Sequence, residues 1–272
     1  MLVGAGLAAG DRVFRPAAFA LALAGALAIQ VAANFANDAS DAKRGADNES
    51  RLGPPRMVAL GVISARRMWV AAWTAVAAAG LAAVGLALIA GPLILWIGAV
   101  SVVAMLGYVG GPIPYGYRGL GEVFVFIFFG LVATVGARYV HDSAAPLDAW
   151  LLATGVGASA TAILAVNNYR DIDTDREAGK RSLAVILGRE RARVLCVALI
   201  WGAYPLIALF ALAGWSPRPT LAAALLAPLA AAPAHAVRAE TDGAALTHAL
   251  KQTARLHLWV GAALAAGSAL RF

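Results

Sequence analysis

Charge and cysteine are scarce in this chain of 272 residues. Charged residues make up 14% of it and hydrophobic residues 61%, whereas a soluble domain carries about a quarter charged residues. That imbalance excludes an ordinary soluble domain, whose core has no use for so many long apolar runs. The single cysteine, Cys196, excludes an internal disulfide. Its place in an apolar run offers no metal or redox spacing, so it is expected to pack or to face lipid. The first ten residues, Met1 to Gly10, lack a basic stretch and a cleavage site, so no secretory leader before a soluble domain is expected. The four histidines (141, 235, 248 and 257) have no ligand spacing and are expected to be solvated or interfacial. No sustained heptads are present, which excludes a coiled coil.

Apolar runs are abundant instead. They lie at 17–36, 68–90, 92–109, 120–139, 149–168, 193–214, 219–237 and 254–270, near the roughly 20 residues a spanning helix needs. The fold class they predict is all-α, a polytopic membrane helix bundle forming one domain over residues 1–272, with the lipid bilayer as its surroundings. The segment "MLVGAGLAAG" reads as the tail of a further helix. Glu122 near the start of one run, and Pro228 and Pro233 within another, predict kinked or shallow helices. Of the 22 Lys and Arg, 17 fall in the connections on one side, and Arg12, Arg15, Arg138, Arg218 and Arg271 on the other. The richer side is expected to face the cytoplasm. This accounts for most of the net charge of +7, so nucleic acid is not expected as a partner.

Two of these runs end in amides and carboxylates. The first closes with "NFANDASDAKRGAD", Asn34 to Asp47. If the helix continues to residue 41, Asn34, Asp38 and Asp41 share a face, and Asn37 neighbours Asp41. Gly45 breaks the helix beside Lys43 and Arg44. The second closes with "NNYRDIDTDREAGK", Asn167 to Lys180, where Asn167, Asp171 and Asp175 form an i, i+4, i+8 row and Asn168 neighbours Asp171. Gly179 is expected to end that helix, followed by Lys180 and Arg181. The two copies stand four helices apart, which reads as an internal duplication of four-helix halves.

Carboxylates one turn apart repel, so a positive partner is expected between them. Mg²⁺ takes oxygen ligands, often one or two carboxylates together with substrate phosphates. Two such helix ends facing each other suit two Mg²⁺ ions and a diphosphate, with charge growing on the leaving oxygens. Lys43, Arg44, Lys180 and Arg181 would then donate to the diphosphate. A diphosphate with a long lipid tail explains a site at a membrane surface. The plainer reading is that these are solvated helix ends, because an aspartate costs little near the interface compared with about 2.5–3.5 kcal/mol at the bilayer centre.

The patterns formed by Asn37, Asp38, Asp41, Gly45 and Asp47, and by Asn167, Asn168, Arg170, Asp171, Asp175, Gly179 and Lys180, resemble the two Asp-rich motifs of the UbiA superfamily of intramembrane prenyltransferases. The segment "GGPIPYGYRGLGEVFVFIFFG", Gly110 to Gly130, is similar to a loop of its menaquinone-forming branch. The resemblance runs over nearly the whole chain. It implies nine helices around a central cavity, with a complete first helix that carries Arg-Pro near its start; here only its tail remains. It implies Mg²⁺-dependent ionisation of a polyprenyl diphosphate and attack by a ring carbon of 1,4-dihydroxy-2-naphthoate, with loss of carbon dioxide. On this basis the metal ligands are expected to be Asn37, Asp38, Asp41, Asp171 and Asp175, with the four aspartates catalytic. Asp47 and Asp173 are the less secure members of the two motifs.

The acceptor is expected to meet Asn34, Tyr115, Arg118 and Asn168. Tyr115, Tyr117, Arg118 and Glu122 lie on a Gly- and Pro-rich loop that can cap the cavity, and Arg118 can grip a carboxylate bidentately. An ordinary turn with interfacial aromatics is the alternative. Phe124, Phe126, Phe128 and Phe129 suit either a prenyl channel or lipid contact. Two further readings remain: another aromatic acceptor such as 4-hydroxybenzoate, or a cation-coupled transporter. The position of both clusters on the same side, with basic neighbours, argues against the transporter.

Overall fold

The computed structural model describes residues 1–44, 53, 56–110 and 114–271. Gly45 and Asp47 lie outside the described residues, and so does the side chain of Arg44. Among the described residues there is no strand. The helices are α1 Leu2–Gly10, α2 Pro16–Arg44, α3 Ala65–Ala90 and α4 Leu93–Val109. A 3₁₀ turn, Tyr115–Arg118, leads into α5, Gly121–Asp142. Then come α6 Leu147–Arg170, the short α7 Ile172–Glu177, α8 Leu183–Leu212, α9 Arg218–Ala239 and α10 Gly243–Ala269.

Six of these (α2, α3, α5, α6, α8 and α9) are long and apolar enough to cross a bilayer, and α4 is a shorter apolar helix. Their outer faces carry Leu81, Leu88, Trp96 and Leu225, each more than two-thirds exposed, which suits contact with lipid rather than water. The run at 254–270 forms the second half of α10, and the run at 193–214 lies almost wholly in α8, which begins ten residues earlier and is interrupted at Gly188.

The expected irregularities are present. Residues 218–230 of α9 wind as 3₁₀ helix before Ala231–Ala239 turns α-helical, because Pro219 and Pro228 lack the amide that α-helical bonding needs. The middle of α5, Phe126–Val132, is π-helix. There Gly130 lies against Gly157 of α6: a Cβ on Gly130 would stand 2.4 Å from the Gly157 Cα. Two glycines thus let α5 and α6 cross backbone to backbone.

The larger core surrounds α6, whose Leu152 and Val166 meet Leu7 of α1, Ile207 of α8 and Leu264 of α10. A smaller core joins α2, α3 and α4 through Ala18, Leu86 and Ile94. Away from the Asp-rich helix ends, buried Arg138 bonds Asp11 at 2.9 Å and Asp142 at 2.5 Å. Arg271 pairs with Asp11 and Asp148. This network pins α1 between α5 and α10.

Candidate active site

The first acidic motif rides on α2, which continues to Arg44. Its expected shared face therefore exists and turns inward along its length: Asn34 is exposed and donates to the Gln30 carbonyl of its own helix at 2.9 Å. Asp38 is 6% exposed and accepts from the backbone amides of Met57 (3.1 Å) and Val58 (3.2 Å). The chain at Met57 and Val58 thus lies against the end of α2 and supplies two N–H donors to one carboxylate, a strong charge-assisted arrangement. Asp41 Oδ1 accepts from the Tyr117 hydroxyl at 2.7 Å. Lys43 is exposed.

The second motif departs from the expected continuous helix. The α6 helix stops at Arg170, and Asp171 takes φ −91°, ψ 10° before α7 begins. There the Asp171 carboxylate turns back onto its neighbour, accepting from Arg170 Nε (2.6 Å) and from the Arg170 terminal nitrogen (2.7 Å). The same guanidinium also donates to Asn167 Oδ1 at 3.0 Å. The i, i+4 backbone bonds survive across this step, Asp171 N–H to Asn167 O at 3.1 Å and Asp175 N–H to Asp171 O at 2.8 Å, so the row is bent rather than lost.

Gly179, with φ +69°, ends α7 as expected. The Lys180 amide donates to the Asp175 carbonyl at 2.8 Å and the Gly179 amide to the Arg176 carbonyl at 3.1 Å, the paired closure that a left-handed glycine allows. This turn brings Lys180 Nζ to 3.1 Å from Asp175 Oδ1. Burial raises the Asp175 pKa, and Lys180 opposes that shift. Burial also works against the Lys180 ammonium, but Asp175, Tyr108 and Asp41 outweigh it and hold it charged. Asp173 is exposed and pairs with Arg189 at 2.6 Å, a surface role.

The Tyr115–Arg118 turn joins the two motifs. Tyr117 reaches Asp41 with its hydroxyl, its carbonyl accepts from the Arg181 amide at 3.3 Å, and Lys180 Nζ lies 6.0 Å from its ring centroid. Tyr115 donates to the Ala104 carbonyl at 2.6 Å and stacks on Phe124, with centroids 3.7 Å apart. Burial raises the Tyr115 pKa, so its phenol stays protonated. The side chains of Arg118 and Arg181 are exposed. Beneath the turn, Asn168 donates to Glu122 Oε1 at 2.9 Å, and both are buried. The residues missed as site members are therefore Tyr117, which a phenol one residue before Arg118 hardly signals, and Glu122, whose carboxylate in an apolar run was the available sign.

Among the described residues no group of three or more His, Cys, Asp or Glu stands ready to hold a metal ion. The five expected ligands are gathered at one end of the bundle, and each aspartate among them is held by a protein donor. The donor set still fits Mg²⁺, since Asn37 Oδ1 and Asp175 Oδ2 are buried oxygens without a hydrogen-bond partner among the described residues and Mg²⁺ takes oxygen ligands.

A profile described as the UbiA prenyltransferase family matches residues 1–267. The 1,4-dihydroxy-2-naphthoate octaprenyltransferase of Mycobacterium tuberculosis is 39% identical over 93% of this chain and 84% of its own length. The protein of the same name from Escherichia coli is 37% identical over 94% of this chain and 85% of its own. Among solved structures, the apo form of a UbiA homolog from Aeropyrum pernix aligns with TM-score 0.70 at 19% identity, covering 96% of this chain and 95% of that one. A UbiA homolog from Archaeoglobus fulgidus, bound to DMAPP and Mg²⁺, aligns with TM-score 0.60 at 17% identity, covering 97% and 94%. At these identities the solved structures establish the fold.

Proposed function

This chain belongs to the UbiA prenyltransferase family, and on that premise we propose that it transfers a polyprenyl group from polyprenyl diphosphate to 1,4-dihydroxy-2-naphthoate. Carbon dioxide is lost and demethylmenaquinol forms, a step of menaquinone synthesis. The chain acts as a single domain over residues 1–272, an integral protein of a bacterial cell membrane with its motif loops toward the cytoplasm. The observation that carries this reading is the bond from Tyr117 to Asp41 within a turn that also meets Lys180 and Arg181. In this reading the turn draws the two acidic helix ends toward one diphosphate. The names of the two bacterial relatives support the acceptor.

In this reading Asn37, Asp38, Asp41, Asp171 and Asp175 hold Mg²⁺. When bound, the ion supplies neutralisation of the charge that develops on the leaving diphosphate. The carboxylates have lone pairs to spare beyond their present donors, and Tyr117 and Lys180, which now face Asp41 and Asp175, would also be in place to donate to diphosphate oxygens. Lys43, Arg44 and Arg181 add positive charge at the rim. The apolar bundle takes the prenyl tail and keeps water from the allylic cation. Asn34, Tyr115, Arg118 and Asn168 are assigned to the acceptor, with the Tyr115 ring offering a face for stacking.

The test is turnover by purified protein of one labelled polyprenyl diphosphate, with 1,4-dihydroxy-2-naphthoate and with 4-hydroxybenzoate in parallel. A prenylated naphthoquinol that forms only with Mg²⁺ present is the expected result. Product from 4-hydroxybenzoate alone would move the acceptor assignment, and no product from either would overturn the reading.

A further inference from the structure

One carboxylate outside the two motifs is held by a side-chain amide instead of by the donors that hold the four motif aspartates. Asp38 holds two backbone amides, Asp41 a phenol, Asp171 a guanidinium and Asp175 an ammonium. Each of these four carboxylates is thus already engaged by an N–H or O–H donor. Glu122 is 5% exposed, and its described partner is the neutral amide of Asn168 on Oε1. Its second oxygen, Oε2, is buried with no hydrogen-bond partner among the described residues. A buried polar atom left unsatisfied costs about 1–3 kcal/mol, a cost that a hydroxyl donated by a bound acceptor would offset.

Its position is as informative as its isolation. Asn168 precedes Asp171 by three residues, which at 1.5 Å per residue sets the Glu122–Asn168 pair roughly 4.5 Å further into the bundle than the diphosphate end. A prenyl diphosphate anchored at the aspartates, with its tail in the bundle, would place its reacting allylic carbon at that depth.

Building on the proposed function, we propose that Glu122 Oε2 accepts the hydroxyl proton of the aromatic acceptor as the ring attacks, with Asn168 fixing the carboxylate. The O–H bond breaks and its proton passes to Oε2, while the oxygen's electron pair flows into the ring. The ring carbon forms a C–C bond to the allylic carbon, and the allylic C–O bond breaks with its electron pair leaving on the diphosphate. Loss of carbon dioxide is a separate, later step. Asn168, assigned above to the acceptor directly, becomes a positioning residue that acts through Glu122.

The titratable groups that feel Glu122 are Tyr108 of α4, Lys180 and Asp175 at the α7–α8 corner, and Cys196 of α8. Glu122→Gln removes a charge that Tyr108 and Cys196 feel, whereas Glu122→Asp keeps the charge and withdraws the carboxylate, so the two variants together isolate Glu122. The experiment compares wild type, Glu122→Gln and Glu122→Asp in detergent, with exposed Glu190→Gln as control. It measures kcat, KM for each substrate and the Kd of the prenyl diphosphate across pH. The expected result for Glu122→Gln is kcat lower by about a hundredfold, with the prenyl diphosphate Kd unchanged. That deficit should shrink as pH rises and the acceptor arrives already ionised, which a purely structural role would not produce.

A deficit independent of pH, or kcat within threefold of wild type, overturns the role of Glu122. Should Glu122→Gln fail to fold, Glu122→Asp decides. A kcat at least tenfold lower with unchanged diphosphate affinity supports the proposal, and wild-type kcat overturns it. If the wild type itself turns over no aromatic acceptor, it is the proposed function that fails, so the two failures are separable.

Discussion

Asp38 and Asp171 are both acidic residues in amide-flanked motifs, yet the fold treats them differently. Asp38 is held by two backbone amides from a distant turn, and Asp171 by the guanidinium next to it in sequence. Replacing either by Ala is expected to lower turnover by at least a hundredfold, the scale on which a lost electrostatic contact to developing charge acts. Prenyl transfer by purified protein reads both, and wild-type rates in either variant would argue against the cation site. Tyr117→Phe removes one hydrogen bond to Asp41, worth about 0.5–1.5 kcal/mol. A change of about tenfold or less is expected, seen chiefly in KM for the diphosphate. Such pairings could not be read from spacing, which establishes which residues share a helix face but not what stands opposite.

At the scale of the element, the crossing of α5 and α6 is the sharpest constraint. Gly130→Ala would drive a methyl into the backbone of Gly157, which cannot turn aside as a side chain can. A loss of about 1–3 kcal/mol is expected, read as a lower Tm in detergent. Gly136→Ala on the same helix meets nothing within 4 Å and should leave Tm unchanged. Equal effects at the two sites would show that the close crossing is not what the glycines provide. The helices themselves were largely legible as apolar runs, and Pro228 announced the irregular stretch of α9, whereas Pro233 sits in its α-helical end. The π-helical turn of α5 was not legible in detail. It depends on packing against α6, which no local pattern encodes.

At the scale of the molecule, the orientation in the membrane remains a proposal that a single labelling experiment decides. Cys196 is 1% exposed and so gives little background. Glu190 lies beside the motif end of the bundle with an 80% exposed side chain. Glu190→Cys is expected to react with a membrane-impermeant maleimide in inside-out vesicles and not in intact cells treated from outside. Labelling in intact cells would invert the topology.

Composition, run length and the distribution of Lys and Arg were enough to specify an all-helical membrane bundle with two acidic helix ends on one side. Those properties follow from the bilayer, which admits long apolar helices and sorts basic loops, and both rules act on local sequence. Only the tertiary structure decided that the Tyr115–Arg118 turn bridges the two ends, that Arg170 folds onto Asp171, and that Glu122 is buried with one oxygen free. Contacts between residues 46 or 76 positions apart depend on how helices pack across the bundle, and helical periodicity carries no information about which partner will face which side chain.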